Sequence, residues 1–461
     1  MKKMTFALFF GNRFVFSPAF IGEARKELCK AVGDAGYDYL IAGENMTRYG
    51  AVETLDEAAA YAKWLASHKG EYDGVILSMP NFSDENGAAE ALREAGVPIL
   101  IQAYPDEAGK LDMARRRDSF CGKFSIQDVF NQYKIPFTIY PPHCVHPLTK
   151  EFEKNLRDFA AVCRVVNGMK RFTIGAFGAR TTRFKTVRYD EITLQKYGVT
   201  VETIDLSEVF ARIDALKDDD KEVLKKFADI KAYAKCSAVA ESDVKTLAKI
   251  AVIIDKYIAE YKMNAVAFRC WSEINDKYNV VVCPIMSMLN ERGIPASCEV
   301  DVCTAVSMYA MQLASEKPAI CLDWNNNYGS EPDKCILFHC GPVPKSLMKN
   351  IEMVPAKING DRTGCYVGDI AAFPMTFSGC KTEDGKLSFC MGDGEMTNDP
   401  VDKTFFGAKG VAHIPNLPQK LIGMGRNSFR HHVAIGCGHM SAILKEAFTY
   451  YLHYDIIDIE K

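Results

Sequence analysis

Apolar and polar positions follow different rhythms along the chain. Between residue 5 and about residue 168, short apolar runs at 5–10, 37–42, 74–79, 97–103 and 135–140 alternate with longer segments, such as 23–35 and 55–68, of helical periodicity. The short runs predict buried strands and the longer ones amphipathic helices, so the alternation predicts parallel strands joined by helical crossovers. The same rhythm restarts at 171–177 and continues through 199–204, a helical stretch near 243–261, and runs at 265–271 and 279–285. A charge run at 217–226 reads as a solvated face. After about residue 327 the helical period fades, and runs at 334–339, 364–370, 374–378 and 387–391 are separated by Gly, Pro and Asp turns, the texture of an antiparallel barrel or sandwich. A helix near 441–451 and a strand at 455–459 close the chain. The expected fold class is α/β: two consecutive doubly wound domains, residues 1–168 and 169–327, then a β-rich, barrel-like domain, 328–461.

Composition excludes several roles. The 461 residues are 48% hydrophobic and 25% charged, an ordinary soluble balance that leaves room for domains of ~100–200 residues each. The formal net charge is −3 with no long run of Lys or Arg, which argues against nucleic acid or an anionic membrane as partner. No stretch approaches the ~18 apolar residues of a spanning helix. Asn12 and Arg13 interrupt the opening apolar run too early for an export signal, so a cytoplasmic location is expected. The sixteen cysteines are scattered without a C-x-x-C, and the nearest pair, Cys298 and Cys303, has no second pair at zinc-finger spacing. Free, buried thiols in a reducing compartment are expected.

The candidate chemistry lies in the last third. Glu299 in ASCEVDVCTA and Asp323 in AICLDWNNN sit inside apolar, β-prone runs, and the pair His431-His432 follows in NSFRHHVAIGCG. A carboxylate in such a run costs several kcal/mol, of order 2–7, to bury unless a charge or a metal compensates it. A strand-end cap or a structural ion pair would explain either acid alone; with the doubled histidine they form a mixed O/N set suited to Mn²⁺, Mg²⁺ or Zn²⁺. Adjacent strand residues face opposite ways, so one of the two histidines is expected to reach a metal. Other signals are weaker. Gly175-Ala-Phe-Gly178 lacks the third glycine and the acid of a dinucleotide fold, although residues 178–183 remain a loop at a strand's carboxyl end, where α/β sheets place ligands. His143 and His146 lie in a proline-rich turn, no G-x-S-x-G elbow exists, and Arg269, Trp271 and Glu273 follow a strand end where they could face a ligand or pack.

The segments ASCEVD (296–301), ICLDWNN (320–326), ILFHCGPVP (336–344) and RHHVAIGCGHM (430–440), in this order and spacing, resemble the metal-site segments of the L-fucose isomerase and L-arabinose isomerase superfamily. The resemblance implies two α/β domains followed by a β-rich one, matching the three textures. It implies Glu299, Asp323 and His432 as metal ligands, with Glu299 and Asp323 also the acid/base pair. His339, His431, Arg430 and Trp271 are implied as further metal or substrate contacts. Asp323 is fucose-like, whereas the H-H-V-x-x-G-x-x-H ending is arabinose-like and places the ligand on the second histidine. The implied activity is an aldose–ketose isomerisation by enediol proton transfer, with Mn²⁺, or alternatively Mg²⁺ or Co²⁺, as cofactor. The substrate would be a free pentose, a 6-deoxyhexose or a 6-substituted hexose; Arg180, Arg183 and Arg430 leave room for a sulfo-sugar. The partner is therefore a small sugar, and a homo-oligomer is implied, a hexamer in which N-terminal domains complete neighbouring pockets. Two alternatives stand beside this reading: a non-catalytic sugar-binding protein, which paired α/β domains also build, and another metal-dependent lyase or aldolase on the same scaffold.

Overall fold

The computed structural model describes residues 3–356 and 362–460. By its contacts the chain divides into two units, Met1–Asn167 with Glu446–Tyr451, and Gly168–Lys445 with Leu452–Lys461.

The first unit is built on a parallel sheet of β1 (Thr5–Phe10), β2 (Asp38–Ile41), β3 (Gly74–Met79) and β4 (Ile99–Ala103) in the order β2-β1-β3-β4. β1 and β3 are buried at every position, as continuous apolar runs require, whereas the edge strand β2 is partly exposed. Alternate residues of β1 serve opposite cores: Phe6, Leu8 and Phe10 pack with Leu28 and Phe159, while Ala7 and Phe9 pack with Tyr61, Val75 and Leu77. The crossover helix Leu55–Ser67 starts at a reciprocal cap between Thr54 and Glu57. The run at 135–140 is not a strand. Only Thr138 bridges to Leu100, because Pro136 lacks a donor and Pro141-Pro142 ends the segment.

The second unit contains a second parallel sheet, order β6-β5-β7-β8, made of β5 (Phe172–Phe177), β6 (Val199–Ile204), β7 (Ala265–Phe268) and β8 (Ala296–Cys298). The run expected as a strand at 279–285 instead leads into the helix Cys283–Glu291. Pro284 sits in its first turn, where a missing N–H costs nothing and the fixed φ favours a helix over a β-branched strand. The remaining strands are β9 (Ala319–Tyr328), β10 (Glu331–His339), β11 (Glu352–Ala356), β12 (Arg362–Asp369), β13 (Phe373–Glu383), β14 (Lys386–Met396), β15 (Ala408–His413), β16 (His432–Cys437) and β17 (Asp455–Ile456). They form one sheet in the order β11-β12-β15-β10-β9-β16-β13-β14-β17, and an added β14–β15 pairing closes the six strands from β15 to β14 into an antiparallel barrel. The longest hairpin, β13–β14, turns through Asp384 and Gly385, both at positive φ, the backbone that matches strand twist in a two-residue loop.

The helix Val302–Ser315 links β8 to β9 and is buried nearly all round, as its apolar sequence dictates. Asp323, expected among residues 169–327 beside the parallel strands, lies on β9 and is therefore a barrel residue. Glu299 lies one residue beyond β8, at the carboxyl end of the parallel sheet.

Candidate functional site

Three neighbouring barrel strands and one loop bring the site together within the second unit. Asp323 on β9 pairs directly with His432 on β16 and with Phe338 on β10, which places His339, the last residue of β10, beside them. Glu299 arrives from the end of β8 through two consecutive left-handed residues, Glu299 at φ +60° and Val300 at φ +59°. For a β-branched residue this backbone is an outlier, of a kind that costs ~1–3 kcal/mol and persists where surroundings enforce it. Here the Val300 N–H donates to the Phe268 carbonyl and the Asp301 N–H to that of Cys298.

Each of the two predicted acids lies near His432. His432 Nε2 lies 3.0 Å from Glu299 Oε2, without hydrogen-bond geometry, and 3.6 Å from Asp323 Oδ1. Glu299 Oε2, Asp323 Oδ1, His339 Nε2 and His432 Nε2 are all buried atoms without a hydrogen-bond partner, a concentration of unmet polar groups that a packed core would not tolerate. Two ligand atoms about 2.1 Å from a hard divalent cation and at right angles lie ~3.0 Å apart, the separation of Glu299 Oε2 and His432 Nε2. Among the described residues the potential ligand atoms of Glu299, His431 and His432 all lie within 4.8 Å of one another, a grouping that does not include Asp323.

The Nδ1 side of His432 is equally defined. It donates to Asp301 Oδ2 at 2.9 Å, which aims Nε2 at Glu299 and Asp323. Asp301, fully buried, also accepts from Arg430 Nη1 at 2.6 Å, and caps the helix Val302–Ser315 through the Thr304 N–H and hydroxyl. Burial pushes the Asp301 carboxyl up, but Arg430 and His432 outweigh it and hold the group far below the carboxylate range. Burial lowers His432, yet the Asp301 hydrogen bond and the Glu299 carboxylate raise it to about 10. Glu299, pushed up by burial, is held below its ordinary value by His432, His339 and the indole of Trp271, whose Nε1 donates to Oε1 at 2.9 Å.

The other predicted contacts fall into place differently. Arg430 does not offer its guanidinium to the site, because it is committed to Asp301 and to the Arg188 carbonyl. His431 lies just before β16, so strand alternation does not separate the two rings. Their centroids are 4.4 Å apart, and His431 Nε2 is 3.8 Å from Asp323 Oδ1. His339 accepts the Cys340 N–H at Nδ1, which in the neutral ring puts the proton on Nε2; burial keeps the ring neutral by lowering its pKa. It is thus disposed to donate to an oxygen rather than to ligate. Asp301 and Phe184 were missed by sequence reasoning. The signal for Asp301 was the D-x-x-T cap two residues past Glu299; Phe184, 5.5 Å from His431 and 5.9 Å from Trp271 between ring centroids, had none. In the first unit, His143 and His146 do not converge: one contacts the Phe120 carbonyl and the other Glu27.

Comparison with known proteins gives two family matches. Residues 7–170 match "Fucose/sulfoquinovose isomerase, N-terminal domain" and residues 337–460 match "L-fucose isomerase, C-terminal domain", together well over half of the chain. A sulfoquinovose isomerase of Priestia aryabhattai is 24% identical over 406 residues, 86% of this chain and 87% of that protein. A sulfoquinovose isomerase of Alkalicoccus urumqiensis is 23% identical over 317 residues, 66% of each chain. Among solved structures, a glucose-galactose binding protein from Geobacillus stearothermophilus covers 69% of this chain and 93% of its own at 13% identity, with a TM-score of 0.17 that carries no argument.

Proposed function

Because the chain belongs to the fucose isomerase-like family and is by that membership an aldose–ketose isomerase, we propose that it interconverts a free aldose and its ketose with the help of one divalent cation held by Glu299, Asp323 and His432. The observation that supports this reading is that the buried Nε2 of His432 lies 3.0 Å from Glu299 and 3.6 Å from Asp323, all three atoms without a hydrogen-bond partner, with the Asp301 carboxylate behind the imidazole. When bound, such a cation supplies charge stabilisation for the adjacent oxygens of the sugar. Mn²⁺ suits this carboxylate-rich set, with Mg²⁺ and Co²⁺ as alternatives.

The side chains do the rest. Aldose and ketose differ by a proton moved between C2 and C1, so one group must remove it and return it one carbon away through an enediol. Asp323, with no hydrogen-bond partner on Oδ1, and Glu299, whose Oε1 is steadied by Trp271, share that task. His339 donates from Nε2 to a substrate oxygen, and Phe184 and Trp271 cover the rings from one side. The substrate is a pentose, a 6-deoxyhexose or a 6-sulfo sugar, the last suggested by the relatives' names. Residues 1–168, 169–327 and 328–461 would act as three segments, the first contributing specificity across a subunit boundary in a closed homo-oligomer. Incubating Mn²⁺-reconstituted protein with matched pentoses, 6-deoxyhexoses and sulfonated hexoses tests the proposal: ketose formation that stops on chelation is expected, and chelator-insensitive turnover would overturn it.

A further inference from the structure

Between β5 and the next helix, Arg180, Arg183, Lys185 and Arg188 place four cations within nine residues that contain no acid. Among the described residues none of the four has a carboxylate within 4.0 Å, although the neighbouring Arg269 and Arg430 are both paired, with Glu273 and Asp301. An exposed basic loop is ordinarily a solvated face, but this one is fixed to the site at both ends. Arg269 donates from Nη1 to the carbonyls of Ala179 at 3.1 Å and Arg180 at 3.2 Å, and Arg430 donates from Nη2 to that of Arg188 at 3.2 Å. The Thr181 hydroxyl donates to the carbonyl of Trp271, whose indole holds Glu299. Between these anchors Arg183 takes a left-handed backbone, φ +63°, and the next residue, Phe184, lies against His431, Trp271 and His432. The loop leaves the carboxyl end of a central strand of the parallel sheet, where such sheets bind ligands.

From this placement we propose that Arg180 and Arg183, with Lys185 beside them, form a subsite for a negatively charged substituent at the far end of the sugar, a sulfonate or a phosphate monoester. The inference rests on the isomerase reading for the position of the sugar's reacting end. The cations nearest the reacting end are committed, Arg430 to Asp301 and Arg269 to Glu273, so a charged substituent meets cations without a carboxylate partner in the loop instead. Guanidinium groups suit both anions, since their planar forks bind tetrahedral oxyanions bidentately.

Titration calorimetry on Mn²⁺-loaded protein with 6-deoxy-6-sulfoglucose, glucose 6-phosphate and 6-deoxyglucose, which differ only at C6, tests the subsite. Both anionic sugars, or one of them, are expected to bind at least roughly tenfold more tightly than the neutral sugar, as charge-assisted contacts imply. R180A/R183A should remove that preference while Mn²⁺ affinity, read by electron paramagnetic resonance, stays unchanged. The better anion identifies the substituent. Equal binding of all three sugars, no binding of any, or a preference that survives in R180A/R183A would overturn the subsite. Ketose formation without anion preference would sink only the subsite; anion preference without ketose formation would sink only the isomerase reading.

Discussion

A few buried groups, those of Glu299, Asp301 and His432 foremost, carry the chemistry of the proposed site. Glu299→Gln or His432→Ala should weaken Mn²⁺ binding by roughly tenfold or more, since even supporting residues of a metal site are worth ~10–100-fold. Asp301→Asn should fall within that range without touching the cation, because it removes the charge that orients His432. A pH effect follows with a definite sign. In the metal-free protein His432 has its pKa raised to about 10, so at neutral pH it is protonated and a cation must displace that proton from Nε2. Affinity is expected to rise with pH by about tenfold per unit below that value, with proton release visible in calorimetry across buffers of different ionisation enthalpy. Binding that is flat between pH 6 and 9 would remove His432 from the ligand set. The same shift stabilises the metal-free fold fully below pH 6.5, and that contribution fades as pH rises toward 10.

Elements explain what the sequence could and could not reveal. Runs buried on both faces, such as β1, β3 and β5, were legible because a continuous apolar stretch of strand length has few other uses. The run at 279–285 was not, because three valines outweigh Pro284 in a periodicity reading while the helix needs only that first-turn proline. The acids and the histidine pair were legible as charges in apolar runs. Asp301 was hidden because its three partners, Arg430, His432 and Thr304, converge only when β16 lies against the start of the helix Val302–Ser315. Asp301→Ala leaves Arg430 buried without its partner and uncaps that helix, and should cost ~3–5 kcal/mol in denaturant titration. Gly385→Ala should cost about 1 kcal/mol, visible as a lowered Tm, because the turn needs φ +72° even though a methyl group would meet nothing within 4 Å. An unchanged midpoint for Asp301→Ala would contradict its role as the charge that holds Arg430 and His432.

For the whole molecule, all residues of the proposed cation site belong to the second unit, and the first unit has a separate sheet with its own two cores. The first unit also exposes apolar side chains, Phe14 at 79% and Met113 at 71% among them. Light scattering is expected to show a closed homo-oligomer at assay concentration; an active monomer would return specificity wholly to the second unit. The most direct test of the central claim is NMR of the sugar in heavy water, using protein stripped with chelator and then reloaded with Mn²⁺. The stripped protein should leave the aldose unchanged, and the reloaded protein should produce ketose carrying deuterium at the carbon that receives the proton. Ketose formed equally well by the stripped protein, or by Glu299→Gln and Asp323→Asn with all substrate hydrogen retained, would contradict it.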